Sequence, residues 1–312
     1  RIALDLEGVE RALASSFNTG SEDFNTLIRP LSEAGGKRLR AQLCLLIANA
    51  GTSVEAERIK IAEAVEMLHL ATLIHDDVLD QAEIRRGEET IHKHKGNKVA
   101  ILSGDYLFAK AFRIVSEMPH MEYLKIFSHI ITCLVEGEFM QMEDVYRIDQ
   151  GIDRYMTKTQ KKTADFMEGC MELGGLLGGW SSDEIMYLKR YGHALGMAFQ
   201  ITDDIMDYRE TSDTTGKPVG NDLREGLLTY PLLSIVNESN QNQLLQDIKN
   251  LNHGGNEQEI IDYVIAQGGI DNTLRVAQQY CDDALSALQS IRDFDGKEFL
   301  VLAVQNLADR KV

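Results

Sequence analysis

Twice in this chain an aspartate motif of the same spacing ends a strongly apolar run: Asp76-Asp77-Val78-Leu79-Asp80 and Asp203-Asp204-Ile205-Met206-Asp207. Ahead of the first stands Ala64-Val65-Glu66-Met67-Leu68-His69-Leu70-Ala71-Thr72-Leu73-Ile74-His75, too apolar all round for a surface helix. Ahead of the second stands Ala194-Leu195-Gly196-Met197-Ala198-Phe199-Gln200-Ile201-Thr202, again mostly apolar. Residues four apart share a helix face, so each motif presents a small comb of carboxylates at the end of a buried helix. Like charges this close repel, and burying them without partners is costly. A fold that does this twice has to supply cations. Carboxylate oxygens suit hard divalent ions, and Mg²⁺ takes one or two carboxylates and fills the rest of its shell with water and substrate phosphates. The two motifs therefore predict a polyphosphate held between two helices by bridging magnesium.

The rest of the chain reads as helix. Apolar residues recur at intervals of three and four, as in Leu43, Leu46, Ile47 and Ala50, and no convincing strand alternation is present. Only four prolines interrupt 312 residues, each where a loop or helix start fits. The expectation is an all-α chain, with 1–312 read as a single domain. Loop signals stand at Ala34-Gly35-Gly36, Arg86-Gly87, Lys95-Gly96-Asn97, Thr215–Gly220 and His253-Gly254-Gly255. The polar stretch from Tyr208 to Gly226 follows the second motif directly and suits a lid over bound phosphate. His92, Lys93, His94 and Lys95 are read as solvent-exposed, because a spacing of two does not put the histidines on one helix face. Cys281-Asp282-Asp283 lacks an aspartate at the fifth position and is read as surface.

A formal net charge of −17 argues against nucleic acid or an anionic membrane as the main partner. An anionic substrate then requires local basic residues and bound Mg²⁺ to reverse the field at the site. The four cysteines, Cys44, Cys133, Cys170 and Cys281, are far apart and lack zinc or disulfide-framework spacing. With no membrane-length apolar run and no secretory signal, the expected location is cytoplasmic.

Further pieces complete a recognisable set. Gly35-Gly36-Lys37-Arg38-Leu39-Arg40 comes first; the first motif runs on into Gln81-Ala82-Glu83-Ile84-Arg85-Arg86-Gly87; then follow Gly137-Glu138 with Gln141, Lys162-Thr163-Ala164, Phe199-Gln200, Gly216-Lys217, Gly220 and Asp222-Leu223. In this order and spacing, from about residue 30 to 235, the chain closely resembles the trans-isoprenyl diphosphate synthases. The resemblance implies the isoprenoid synthase fold, a helical bundle around a deep central cavity, and head-to-tail joining of isopentenyl diphosphate to allylic diphosphates. It implies that Asp76, Asp77, Asp80 and Asp203 bind Mg²⁺ bridging the allylic diphosphate, with Asp204 and Asp207 in support. Arg85, Lys162 and Lys217 would contact that diphosphate. Gly36, Lys37, Arg40, His69 and Arg86 would form the metal-free isopentenyl diphosphate pocket. Thr163 and Gln200 would lie beside the developing cation. The implied assembly is a homodimer, or a heterodimer with a small regulatory subunit.

Arginine's fork matches phosphate oxygens, and a lysine–arginine cluster is what a metal-free diphosphate needs. His69 lies two helical turns before Asp76 on the same face, with Glu66 one turn earlier. The product tail should run from the first motif down its own helix. Ala71 stands about 7 Å behind Asp76, with Thr72 beside it. Short-chain members of the family usually close the cavity there with an aromatic; small residues predict a long product, C30 to C50, with Leu68, Val65 and Leu107 as candidates for the floor. A departure stands at Leu227, where many members carry a lysine after Glu225-Gly226. The competing readings are a short-chain synthase, a terpene cyclase and a non-catalytic prenyl-diphosphate-binding subunit. A cyclase usually replaces the second aspartate motif with a different triad, and a non-catalytic subunit typically loses one motif; both are intact here.

Overall fold

The computed structural model describes residues 2–17, 21–33, 38–85, 87–209 and 220–308, and helices carry nearly all of them. The all-α expectation is met: among the described residues the only strands are β1 (Ile84–Arg85) and β2 (Glu88–Glu89), a minimal antiparallel hairpin. The chain divides into two compact units, Arg1–His129 with Gly169–Ile185, and Ile130–Glu168 with Met186–Val312.

The first unit holds α1 (Ile2–Ser16), α2 (Glu22–Glu33), α3 (Leu39–Asn49), α4 (Glu55–Leu79), the hairpin, α5 (Ile91–Lys95) and α6 (Asn97–Ser116). Its centre is α4, which packs against α1, α3 and α6. Glu55 and Glu57 in its first turn suit the positive end of the helix dipole. Every residue from Ile61 to Leu68 is buried, as expected of a helix that is apolar all round. The α4–α6 contact is close because Gly104 lies under the His75 ring. A Cβ there would stand 2.2 Å from His75 Nε2. Pro30 departs from its expected position and sits inside α2. It is exposed and near the helix's end, where few hydrogen bonds depend on its missing N–H.

The chain leaves α4 by a tight reversal. Asp80 keeps helical dihedrals, and Gln81 turns left-handed with φ 50°. Ala82 N–H then donates back to the Asp77 carbonyl at 2.9 Å. Thr90 Oγ donates to the Ala82 carbonyl at 2.7 Å, and His92 Nε2 lies 2.7 Å from the same oxygen. His92 is therefore half-buried against this turn, not solvent-exposed as expected; Lys93, His94 and Lys95 are exposed. Sequence spacing cannot reveal a ring whose partner is a loop carbonyl ten residues earlier.

The second unit contains most of α7 (Met121–Asp144), then α8 (Gly151–Thr159), a π-helical turn at Gln160–Ala164, the start of α9 (Asp165–Gly178) and nearly all of α10 (Ser182–Arg209). It continues with α11 (Asn221–Glu225), α12 (Tyr230–Leu233), α13 (Gln241–Asn250), α14 (Glu257–Ala266), α15 (Gly269–Gln289) and α16 (Lys297–Ala308). Its core joins Tyr155 and Ala164 to Ile201, Ile205, Leu223 and Leu232. Tyr191 Oη ties α10 to α16 by donating to the Leu300 carbonyl at 2.9 Å. All four cysteines are buried and none is in a disulfide. That includes Cys281, expected at the surface; its neighbours Asp282 and Asp283 are exposed. No helix among the described residues is long and apolar enough to cross a membrane.

One buried ion pair anchors α1. Arg58 is 0% exposed; its Nε donates to Asp5 Oδ2 at 3.2 Å and its Nη1 to the Ser53 carbonyl at 2.8 Å. Asn49 Nδ2 also donates to Asp5 Oδ2, at 2.6 Å. Removing one partner of a buried pair strands the other charge, whereas removing both leaves an apolar patch. Asp5→Ala should destabilise the protein by about 3–5 kcal/mol, and Asp5→Ala/Arg58→Met by clearly less, read from urea midpoints. Equal losses in the two variants would show that the stranded charge is not the cause.

Candidate active site

In the first unit the aspartates of the first motif have different surroundings. Asp76 is half-buried, Asp77 is 5% exposed and Asp80 is exposed. The reversal after α4 carries Arg85 back on β1, and its Nε donates to Asp77 Oδ1 at 2.6 Å. The structure thus joins Arg85 to the motif directly; Arg86 lies outside the described residues. Ala71 and Leu68 are fully buried on α4, as are Val65 and Leu107. Thr72 is half-buried, with its Oγ donating to the His69 carbonyl at 2.8 Å. A cavity of about 840 Å³ opens on a different strip of α4, lined by Leu70, Leu73, Ile74 and Asp77 with Phe24 and Leu27. Ala71, Thr72 and Leu68 do not line it.

Two turns before Asp76, His69 Nε2 lies 3.3 Å from Arg40 Nη1. Burial pushes the Arg40 guanidinium below its ordinary value, opposed by Cys170, Glu66 and Asp76. Glu66, 1% exposed, accepts from Ala41 N–H at 3.0 Å and lies 3.5 Å from Arg38 Nη1. Burial raises its carboxyl, against the pull of Ala41, Arg38 and Arg40. Gly36 and Lys37 lie outside the described residues. Arg38 was not singled out from sequence. It starts α3 with φ 44° and forks onto Glu10, with Nε–Oε1 2.7 Å and Nη2–Oε2 3.3 Å.

In the second unit, side chains spread over α8, the π turn and α10 form one hydrogen-bonded row. Thr163 Oγ donates to Gln200 Oε1 at 3.0 Å. Gln200 Nε2 donates to Asp204 Oδ1 at 3.0 Å. Tyr155 Oη donates to Asp204 Oδ2. Gln200 and Asp204 are one turn apart on α10, and Thr163 lies on the π turn, a rare element often found at functional sites. Burial pushes the Asp204 carboxyl up to about 7, although Tyr155, Gln200 and Lys158 hold it down; Asp203 adds to the rise. Asp203 itself is exposed.

Asp207 serves the backbone. Its Oδ1 accepts from Asn221 N–H at 3.0 Å and its Oδ2 from Asp222 N–H at 3.2 Å, while its carbonyl accepts from Gly220 N–H at 3.0 Å. It therefore pins the far end of the segment expected as a lid; residues 210–219, including Lys217, lie outside the described residues. Leu227 is half-buried and donates its N–H to the Asp222 carbonyl at 2.8 Å. Lys162 Nζ lies 2.5 Å from Glu138 Oε2. The helix passes this close because residue 137 is glycine: a Cβ there would meet Lys162 Cγ at 2.7 Å.

Among the described residues, no three carboxylates of either motif come within 4.8 Å of one another. A denser group in the second unit, Asp165, Glu168 and His193, has Lys189 3.5 Å and His193 3.6 Å from Glu168. The motifs thus offer oxygen ligands a few at a time rather than a closed cage.

Comparison with known proteins agrees with this arrangement. A sequence model of the family described as "Polyprenyl synthetase" matches residues 21–267. The octaprenyl diphosphate synthase of Escherichia coli (strain K12) is 33% identical over 303 residues, 96% of this chain and 94% of that protein. The heptaprenyl diphosphate synthase component 2 of Geobacillus stearothermophilus is 32% identical over 288 residues, 92% of this chain and 90% of that one. Among solved structures, the polyprenyl synthase of Caulobacter crescentus CB15, complexed with calcium and isoprenyl diphosphate, superposes with a TM-score of 0.90 at 31% identity, covering 99% of this chain and 96% of that one. With its all-helical fold, its paired aspartate motifs and this degree of identity, the chain belongs to the polyprenyl synthetase family and is a prenyltransferase.

Proposed function

We propose that this prenyltransferase joins isopentenyl diphosphate head to tail to allylic diphosphates, with Mg²⁺, and extends them to a long-chain all-trans polyprenyl diphosphate in the C30–C50 range for quinone side chains. Chain 1–312 acts as one synthase domain, in the cytoplasm. The observation that carries the chain length is the pair Ala71 and Thr72 on α4. The helix is continuous from Ala71 to Asp76, a rise of about 7 Å, and neither residue is bulky enough to stop a growing tail. The relatives named above are, by name, octaprenyl and heptaprenyl synthases.

The donor set fits magnesium. Its ligands are oxygens, and no single motif closes a cage, which suits an ion that keeps water and substrate phosphates in its shell. Asp76, Asp77, Asp80 and Asp203 would hold it, with Asp204 and Asp207 in support. Bound there, the ion would supply positive charge to offset that developing on the departing diphosphate. Arg85, Lys162 and Lys217 bind the same diphosphate, while Gly36, Lys37, Arg40, His69 and Arg86 seat isopentenyl diphosphate by charge-assisted hydrogen bonds. Thr163 and Gln200 present fixed dipoles to the allylic cation, and the site must exclude water that would quench it. The departed diphosphate takes the final proton.

The reading includes a homodimer. On α7 the exposed residues Val135, Phe139 and Met142 recur at helical spacing, Phe139 being 62% exposed. An apolar stripe of this kind marks an interaction surface, and a second copy of the chain is its proposed occupant. Phe139→Glu should shift the protein to monomer in sedimentation velocity; an unchanged dimer would remove this stripe from the interface.

The purified chain alone, with labelled isopentenyl diphosphate, farnesyl diphosphate and Mg²⁺, should give dephosphorylated products ending between C30 and C50. A stop at C15 or C20 would refute the long-chain reading. Absence of product would call for a partner subunit such as the name "component 2" implies for the Geobacillus relative. Ala71→Phe should shorten the product, and an unchanged length would dismiss the path along α4. Asp76→Asn or Asp203→Asn should lower kcat by about a hundredfold or more.

A further inference from the structure

The row Thr163–Gln200–Asp204–Tyr155 fixes more than its members' positions. A glutamine amide can point either way, and its two ends have opposite hydrogen-bonding character. Here both ends are committed: Oε1 accepts from Thr163 Oγ and Nε2 donates to Asp204 Oδ1, each at 3.0 Å. The direction of the amide is thus matched to Asp204, whose Oδ1 accepts from Nε2. Asp204 is set in turn by Tyr155, whose hydroxyl occupies Oδ2. Tyr155 has little freedom of its own. It is 2% exposed, packs edge-on against Tyr230 with ring centroids 5.7 Å apart, and belongs to the core of its unit. Lys158, one turn from Tyr155 towards the π turn, pairs with Asp144 at 3.8 Å and also attracts Asp204 electrostatically.

We propose that Tyr155 is a positioning residue for the prenyl transfer: through Asp204 it holds the Gln200 amide in the one orientation that accepts from Thr163, and so sets the dipole offered to the allylic cation. On this assignment both Asp204 oxygens are engaged within the protein, and Asp203 is the member of the second motif that faces metal. The inference rests on the proposed function, because it presumes that Thr163 and Gln200 border the reacting carbon.

The test is a double-mutant cycle on the full-length protein with farnesyl diphosphate, isopentenyl diphosphate and Mg²⁺. Tyr155→Phe removes only the hydroxyl. It should lower kcat about 10–100-fold, the usual size of an outer-shell effect. KM for both substrates and the Mg²⁺ concentration for half-maximal rate should stay unchanged. A misaligned dipole protects the cation less, so released prenyl alcohol per condensation should rise. Combined with Gln200→Ala, which deletes the amide itself, Tyr155→Phe should add no further loss, since residues acting in series are not additive. Additive losses, a raised Mg²⁺ requirement or an unchanged alcohol fraction would each overturn the assignment. If the Phe variant fails to fold, Asp204→Asn serves in the same cycle, read only on kcat and the alcohol fraction because Asp204 also belongs to the aspartate motif; an amide accepts on one side only and breaks one link of the row. Inactive wild-type protein would fail the proposed function instead; active wild type with an unaffected Tyr155→Phe variant fails this inference alone.

Discussion

A carboxylate buried in a helix bundle has to be matched by donors, and both aspartate motifs meet that demand at the same position. The second aspartate of each, Asp77 and Asp204, is 5% exposed. Each has a committed donor: Arg85 for Asp77, Tyr155 and Gln200 for Asp204. The first aspartates, Asp76 and Asp203, are more accessible. Helix geometry explains the division. Positions one and five share a face, whereas position two lies about 100° round the helix and points into its own unit. A motif of three carboxylates is thus an outward pair and an inward anchor, and the anchors determine which side chains stand next to the outward pair.

The third aspartates show how far two motifs of one spacing can diverge. Asp80 ends α4 and is exposed, so it shares the outward face with Asp76. Asp207 instead spends both carboxylate oxygens on the N–H groups of Asn221 and Asp222. That choice closes the ends of a long polar segment at the tip of α10. Loop closure depends on bringing chain ends together, and Asp207 fixes Asn221 and Asp222 beside the motif.

Much of this was legible in the sequence, and the remainder was hidden for identifiable reasons. The apolar runs forecast α4 and the buried middle of α10, and the Asp-Asp spacing forecast carboxylates at their ends. Arg85 entered only through the family resemblance, as a diphosphate contact; its pairing with Asp77 was not read from the sequence. Tyr155 was not, because its partner Asp204 is 49 residues away and a tyrosine in an amphipathic helix looks like ordinary core. The π turn at Gln160–Ala164 breaks helical periodicity by a single residue, too small a shift for apolar spacing to register. The buried Asp5–Arg58 pair spans 53 residues, and each member alone reads as surface charge. His92 was misread for the same reason, its partner being a backbone carbonyl that no side-chain pattern reveals.

The apparent conflict between a net charge of −17 and an anionic substrate has a local resolution. The described cations of the proposed diphosphate site are already coupled to carboxylates: Arg85 with Asp77, and Lys162 with Glu138. Neither of these two described cations is therefore a bare positive charge, which would be costly at their partial burial. On the proposed function, binding a diphosphate would exchange one anion for another around Arg85 and Lys162, and the gain would be the difference between two ion pairs rather than a whole one. That difference is small unless the released carboxylates find new partners. A divalent cation arriving with the diphosphate supplies them, since its charge serves substrate and protein oxygens together. On the proposed reading, diphosphate and metal are bound as one unit because neither alone satisfies the charges that the aspartate motifs bring into the fold.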